Sequence, residues 1–379
     1  MKILHLITRM DGGGSAVNTL LTATHQAMEG YHVKLVYGLS HESEMSNIEK
    51  EKVVEGLEAF RKLGGYTEVL PSLKRKLGWH DKRAIHDLRI IILQGFDIVH
   101  THTSKAGALG RLAVVTKAVK VIHTPHGHVF HGYFGWLKTR IFLMIERYLA
   151  QKTDILIALT KAERDDHLKL KVGRESQWRV VPSGVDVQAI EDWIWQHPVA
   201  KEQQCWDVIS VGRLVPIKGM ERLLKAWVLV VQKQPEAMLA LVGDGEERRQ
   251  LEWLAAHLGI ADNVFFTGWV EPLAYLAKSK LFALLSHNEG MGRAVVEAMA
   301  AGLPCVVSDV CGLKELVDDT VGRCLDADDS EAVAKALMTD WGSETRRNAR
   351  ARAQAYSVQA MMHGLAEVYA EVSQKKTES

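Results

Sequence analysis

The chain is poor in cysteine, with four in 379 residues: Cys205, Cys305, Cys311 and Cys324. None forms a Cys-x-x-Cys pair, so neither a zinc knuckle nor a disulfide framework is indicated. The scarcity fits a reducing compartment. No stretch approaches the roughly 20 uncharged apolar residues of a membrane span. The first ten residues, MKILHLITRM, lack the layout and small-residue cleavage site of a signal peptide. The expectation is a cytoplasmic protein that can still touch the inner face of a membrane. There is no GxGxxG fingerprint with a downstream acid, which argues against a nicotinamide dehydrogenase, and no Walker lysine. No recognised nucleic-acid-binding module occurs, so nucleic acid is not an expected partner. Short-period repeats and low-complexity tracts are absent as well.

What is present is enough apolar sequence, 47%, to bury substantial cores. The length suits two or three domains. Net charge is only +1, yet it is unevenly spread: residues 1–182 hold 27 Lys and Arg against 18 Asp and Glu, and the remainder 20 against 28. A basic half of this kind suits an anionic surface or ligand.

Strand-like runs alternate with helical stretches. ILHLIT, HVKLVYG, FDIVHTHT, VKVIHTPH and TDILIALT read as strands in the first half. WDVISVGR restarts the rhythm, followed by AMLALVGDG, VFFTGWV, KLFALLSH and LPCVVSD. This is βαβα grammar for parallel sheets with helices on both faces. The Pro-Ser-Gly punctuation of residues 180–204 reads as a domain linker. Ligands of such sheets bind beyond the carboxyl ends of the strands, so the loops there are where chemistry is expected.

Four such loops stand out. Asp11-Gly12-Gly13-Gly14-Ser15 joins a strand to a helix, where glycine lets backbone amides approach an anion; a structural tight turn explains it equally well. His100, His102, Lys105, His123, His126, His128 and His131 crowd two strand ends. His-x-His spacing can bind zinc, but no Cys or carboxylate completes a set, and hydrogen bonding to substrate by one or two imidazoles is the better expectation. Arg213 and Lys218 flank the third loop, GRLVPIKG, as a metal-free clamp for a diphosphate, or else as two solvated charges. The fourth segment places Glu289 at a strand end, then Gly290, Met291 and Gly292, then Glu297 about two turns into a helix. Such carboxylates can accept hydrogen bonds from sugar hydroxyls and a ribose diol, with the intervening amides on phosphate oxygens.

That last segment resembles the Glu-x7-Glu motif of the family 4 glycosyltransferases, and the resemblance extends along nearly the whole chain through GGSAVNTLL, HTPHGHVF, VVPSGVD, SVGRLVPIKG, LVGDGEERRQLE and VFFTGWV. It implies a GT-B fold: two Rossmann-like, doubly wound parallel-sheet domains facing an interdomain cleft. Residues 1–183, completed by a C-terminal helix at 356–379, would bind the acceptor, and residues 184–355 the nucleotide-sugar donor. The resemblance also implies a retaining, metal-independent transfer without a cofactor, from a UDP-sugar to a saccharide or lipid-linked acceptor in envelope polysaccharide, lipopolysaccharide or glycan synthesis. By the same carry-over Gly13 and Gly14 approach donor phosphates or acceptor, and His126 sits at the reaction centre. Arg213 and Lys218 neutralise the leaving diphosphate; Glu289 with the amides of Gly290, Met291 and Gly292 holds the sugar; Glu297 holds the ribose, and the backbone near Val270 meets the base. Ala16 departs from the family pattern, in which many relatives carry Glu or Gln, and Lys105 receives no catalytic role. A non-hydrolysing nucleotide-sugar epimerase and a non-enzymatic sugar-nucleotide-binding protein remain as alternatives. SLKRKLGWHDKR and FHGYFGWLKTRIFLMIERYLAQK mix basic and aromatic residues, which suits an anionic membrane interface; a solvated loop and a core helix explain them too.

Overall fold

The structure, a computed structural model, describes residues 1–39, 45, 47–127, 136–200 and 203–374. His128 and His131 lie outside them. The chain forms two compact units, residues 1–184 with 361–379, and residues 185–360.

The first unit is built on seven parallel strands: β1 Lys2–Ile7, β2 His32–Tyr37, β3 Tyr66–Val69, β4 Ile98–His102, β5 Lys120–Thr124, β6 Ile155–Ala158 and β7 Trp178–Val180. Their order is β3-β2-β1-β4-β5-β6-β7. Strands β1, β4, β5 and β6 are buried on both faces, which is why they lack the inside-out alternation of a half-exposed strand. One face packs Leu4, Leu6 and Val99 against the helices His80–Ile92 and Ser104–Ala113. The other packs Ile7, Val33 and Leu35 against the helices Gly14–Met28 and Asn47–Lys62. The C-terminal helix, Val358–Gln374, returns to this unit and buries Met361, Leu365, Tyr369 and Val372.

The second unit holds six parallel strands: β8 Trp206–Val211, β9 Leu239–Val242, β10 Val264–Gly268, β11 Ser279–Leu284, β12 Cys305–Ser308 and β13 Gly322–Leu325. Their order is β10-β9-β8-β11-β12-β13. The fully buried Trp227, on the helix Met220–Lys233, anchors its core. The stretch read as a linker carries a ten-residue helix of its own, Val187–Gln196. Asp186 starts it by accepting a hydrogen bond from the Ala189 amide at 3.1 Å, the usual stabilising N-cap.

Each sheet reverses its strand order once, between β1 and β4 in the first unit and between β8 and β11 in the second. Loops leaving the two strands at such a point diverge to opposite sides and open a ligand crevice.

Candidate active site

In the second unit the loops after β8 and β11 are stitched together. The His287 amide donates to the Ile217 carbonyl at 2.9 Å. Gly219 has φ +62°, and a Cβ there would run into the Leu285 carbonyl oxygen, so only glycine lets the β8 loop lie this close to the end of β11. The consequence is a Lys218–Glu289 pair, with Nζ 3.0 and 2.8 Å from the two carboxylate oxygens. Ser286 Oγ donates to the same carboxylate at 3.3 Å. From below, the Gly312 amide donates to the Glu289 carbonyl at 3.1 Å, and a Cβ on Gly312 would sit 2.5 Å from the Glu289 and Gly290 carbonyl oxygens. Gly312 was not singled out in the sequence; a glycine one strand away from a motif carries no local signal of such contact.

Gly292 precedes the helix Arg293–Ala300, with no acid in its first turn, which leaves a helix N-terminus suited to anions. Glu297 is half-buried on that helix, one turn from Arg293. Burial lowers the Arg293 guanidinium's affinity for its proton, and the Glu297 charge partly restores it. Arg213 is exposed, and no carboxylate lies in ion-pair range of it among the described residues. Val270 follows β10, whose last residue, Gly268, accepts a hydrogen bond from the Gly243 amide at 3.1 Å. β10 and β11 are three strand spacings apart, about 14 Å, so Val270 and Glu289 follow strands well separated along one sheet edge. An Asp-x-Asp triplet, Asp326-Ala327-Asp328, follows β13 with both carboxylates exposed; Asp328 pairs with Arg222 at 2.9 Å.

In the first unit the Gly13 amide is occupied: it donates to Asp11 Oδ1 at 3.0 Å, and Arg9 faces the same carboxylate at 3.4 Å. The Gly14 and Ser15 amides open the helix Gly14–Met28 without an intrahelical acceptor, while the Ala16 amide already donates to the Gly13 carbonyl at 3.0 Å. At the other side of the crevice His126 has φ +58°, a conformation uncommon outside glycine. Glu163, fully buried, holds this loop by accepting from the Gly127 and Leu159 amides at 2.8 and 2.7 Å.

The histidines do not form a row of separate substrate ligands. His102 Nδ1 lies 2.9 Å from His126 Nε2, and His102 Nε2 lies 2.9 Å from His5 Nδ1. His5 Nε2 lies 2.7 Å from Gln26 Oε1. His100 meets Tyr369 Oη at 2.6 Å and Thr124 Oγ1 at 2.8 Å. His5, His100 and His102 could converge on one ion by distance, yet every ring nitrogen of the three already has a protein partner. Burial lowers the His5 pKa to about 4, against the raising influence of its hydrogen bond to Gln26 Oε1. Burial also takes His100, His102 and His123 well below the ordinary imidazole range. His5, Gln26, Tyr369 and Glu163 escaped the sequence reading; the available signal was a histidine inside a strand otherwise apolar on both faces. Lys105 is paired with Asp81 at 2.8 Å.

Two family models match adjoining stretches of the chain. "Glycosyltransferase Family 4" covers residues 12–189 and "Glycosyl transferases group 1" residues 191–357. The chain is 30% identical over 311 residues to a D-inositol 3-phosphate glycosyltransferase of Salinispora arenicola, covering 73% of this chain and 69% of the relative. It is 28% identical over 282 residues to the UDP-Gal:alpha-D-GlcNAc-diphosphoundecaprenol alpha-1,3-galactosyltransferase of Escherichia coli, covering 71% and 73%. Among solved structures, Anabaena HepE in complex with UDP and glucose superposes with a TM-score of 0.75 at 20% identity, over 98% of this chain and all of that one.

Proposed function

The chain belongs to the family 4 glycosyltransferases, and on that premise we propose that it moves a sugar from a UDP-sugar to a lipid-linked saccharide acceptor, with retention at the anomeric carbon and without a metal ion. The observation that carries this reading is the Lys218–Glu289 pair at the strand-order reversal of the second unit. Along that one sheet edge stand, in order, Val270 after β10, Arg213 and Lys218 after β8, and Glu289 after β11. A base, a diphosphate and a sugar have the same order in the donor. The Gly290–Gly292 amides and the N-terminus of the helix Arg293–Ala300 add donors for phosphate oxygens, and Glu297 on that helix suits the ribose diol.

When the glycosidic bond to phosphate lengthens, negative charge grows on the diphosphate and positive charge on the sugar ring. Fixed cations and amides aimed at the first, with Glu289 beside the second, supply the electrostatic part of catalysis. Retention fits a front-face route in which the leaving phosphate oxygen takes the acceptor hydroxyl's proton. His126, presented by its strained loop in the first unit, is the side chain we place at the reaction centre, with the Gly13–Gly14 turn nearby. The relatives' names support a UDP-sugar and a diphosphoundecaprenol-linked acceptor in polysaccharide or O-antigen synthesis.

We read the helix Trp136–Ala150 as a membrane-facing element. Trp136, Ile141, Met144 and Tyr148 on it are exposed. Arg140 lies 5.9 Å from the Trp136 ring and Lys152 5.4 Å from that of Tyr148. Exposed aromatics interleaved with cations are the makeup of an interfacial helix. Among the described residues no helix is long and apolar enough to cross a bilayer.

The test is transfer from labelled UDP-Gal, UDP-Glc and UDP-GlcNAc to a GlcNAc-diphospholipid, with the product's anomeric configuration read by NMR. An α-linked product formed in EDTA supports the reading. A β-linked product overturns retention. Activity lost in EDTA and restored by Mn²⁺ overturns metal independence, and turnover of none of the three donors overturns the donor class.

A further inference from the structure

The buried hydrogen bonds of the first unit form two arms, Gln26–His5–His102–His126 and Tyr369–His100–Thr124. The first draws on the helix Gly14–Met28, β1, β4 and the loop after β5, the second on the C-terminal helix, β4 and β5. Sheet register sets the central part, because His5 pairs with His100 across β1 and β4, and His102 with Thr124 across β4 and β5. All members but His126 are buried. A nitrogen left without a partner there would cost the full desolvation of a polar group.

Such a chain has a direction. Each neutral imidazole donates from one nitrogen and accepts at the other, so fixing one link fixes the rest of its arm. Gln26 fixes the longer arm: its side-chain oxygen, which can only accept, faces His5 Nε2. His5 therefore carries its proton on Nε2 and accepts at Nδ1. His102 donates from Nε2 to His5 and accepts at Nδ1, and the donor to that nitrogen is His126 Nε2–H. On the other arm His100 lies between the Tyr369 and Thr124 hydroxyls.

We propose that His102 and His5 are positioning residues for His126: through this chain they hold the His126 proton on Nε2 and orient the ring so that Nδ1 is the nitrogen through which it serves the reaction. The proposal rests on the reading that His126 is at the reaction centre. Burial keeps His5, His100 and His102 neutral near pH 7, which is the state the alternating pattern requires. The other groups facing the chain agree with it. His123, on β5, is directed to Thr101; Arg111 faces Glu146 from the helix Ser104–Ala113; and the Glu163 carboxylate accepts from the Gly127 and Leu159 amides. The strained backbone at His126 is consistent with a ring held from behind.

Two independent readouts test this in the full chain. In wild-type protein labelled with ¹⁵N-histidine, scalar coupling across the N–H···N bonds should link His126 Nε2 to His102 Nδ1 and His102 Nε2 to His5 Nδ1. The one-bond couplings should place the protons on His126 Nε2 and His102 Nε2. Absent couplings, or a proton on His102 Nδ1, overturn the proposal without any variant having to fold. In transfer assays His102→Leu should lower kcat about 100-fold, the scale expected when a reacting group is misplaced, with the KM for donor nearly unchanged and the acid limb of the pH profile displaced. His102→Asn, which keeps a polar atom near Nδ1, should recover most of the loss. Equal kcat and pH profiles in wild type and His102→Leu overturn the positioning role. Wild-type turnover by His126→Ala, with the couplings intact, instead overturns the placement of His126 at the reaction centre.

Discussion

Acidification should loosen the first unit long before the second, and the buried imidazoles set both the direction and the size of the effect. His5 is fully buried and has its pKa lowered to about 4 in the fold, against about 6.5 in the unfolded chain. Between those values the unfolded chain binds a proton that the folded chain refuses. Stability is therefore intact above pH 6.5 and declines as pH falls toward 4. For His5 alone the loss between pH 7 and pH 5 is roughly 2 kcal/mol. His100, His102 and His123 push the same way. The second unit's histidines, His197, His257 and His287, are exposed. Its Asp318 feels burial as a raising influence, but hydrogen bonds from Thr320 and Arg352 take it down to about 2, so its contribution changes only below pH 4. The assay is urea denaturation at pH 7 and pH 5, paired with hydrogen exchange corrected for intrinsic rates. Protection should fall in peptides from β1 and β4 and hold in those from β8 and β11. His5→Leu should lower stability at pH 7 but flatten the pH dependence by about His5's share. Equal stability of wild type at the two pH values, or an unchanged slope in His5→Leu, would refute the linkage argument.

The remaining expectations concern the proposed donor site and the membrane face. Glu289→Ala should cut transfer about 100- to 1000-fold, the scale of losing one preorganised electrostatic group. It should leave the melting temperature near wild type and bind UDP alone at least as tightly; near-normal turnover would remove Glu289 from the site. Gly219→Ala should destabilise the second unit by about 1–3 kcal/mol, because φ +62° and the Leu285 carbonyl both oppose a Cβ; an unchanged urea midpoint would contradict this. Co-sedimentation with anionic vesicles should exceed that with neutral ones and weaken with salt, since surface charge is screened over about 10 Å at 0.1 M. Trp136→Ala should lessen it, and equal sedimentation with both vesicle types would contradict the electrostatic part.

The fold was legible where burial is two-sided. β6, β9 and β12 are apolar runs because both sheet faces are covered, and a run of that kind needs no periodicity to be recognised. β3, β7 and β13 went unread: YTEV, WRV and GRCL are short strands, and all three stand at sheet edges. VFFTGWV reads as one strand, but β10 ends at Gly268 after an irregularity in register with β9. The loop chemistry of the second unit was legible because Lys218 and Glu289 each sit beside glycines at a strand end. Their mutual contact was not, since it depends on Gly219 allowing one loop to lie on another. The histidine chain was the least legible part. His100 and Tyr369 are 269 residues apart and His5 and His102 are 97 apart, and no local pattern encodes such pairing. Thr160 and Glu163 show the four-residue spacing of a helix start, and Thr160 does cap that helix. The Glu163 carboxylate nevertheless turns to the Gly127 and Leu159 amides, a destination set by tertiary packing.

The Lys218–Glu289 pair bears directly on the proposed chemistry, because in the free protein each charge already has a partner. A half-buried lysine without an anion, or a half-buried glutamate without a cation, would pay for desolvation with nothing to offset it. A diphosphate entering between Arg213 and Lys218 brings two negative charges next to Glu289. Lys218 alone would then face three negative charges, and Arg213, exposed with no carboxylate in ion-pair range among the described residues, is the cation available to share them. In the proposed site, as Lys218 turned toward phosphate the Glu289 oxygens it held would become acceptors for sugar hydroxyls, with Ser286 still donating to one of them. Phosphate capture and sugar capture would then be one exchange of partners on a common lysine. Removing the carboxylate spares the phosphate a repulsive neighbour while taking away the sugar's acceptor. That is why tight UDP binding and lost transfer are expected together in Glu289→Ala, and why affinity for UDP alone is a poor guide to a working site in this enzyme.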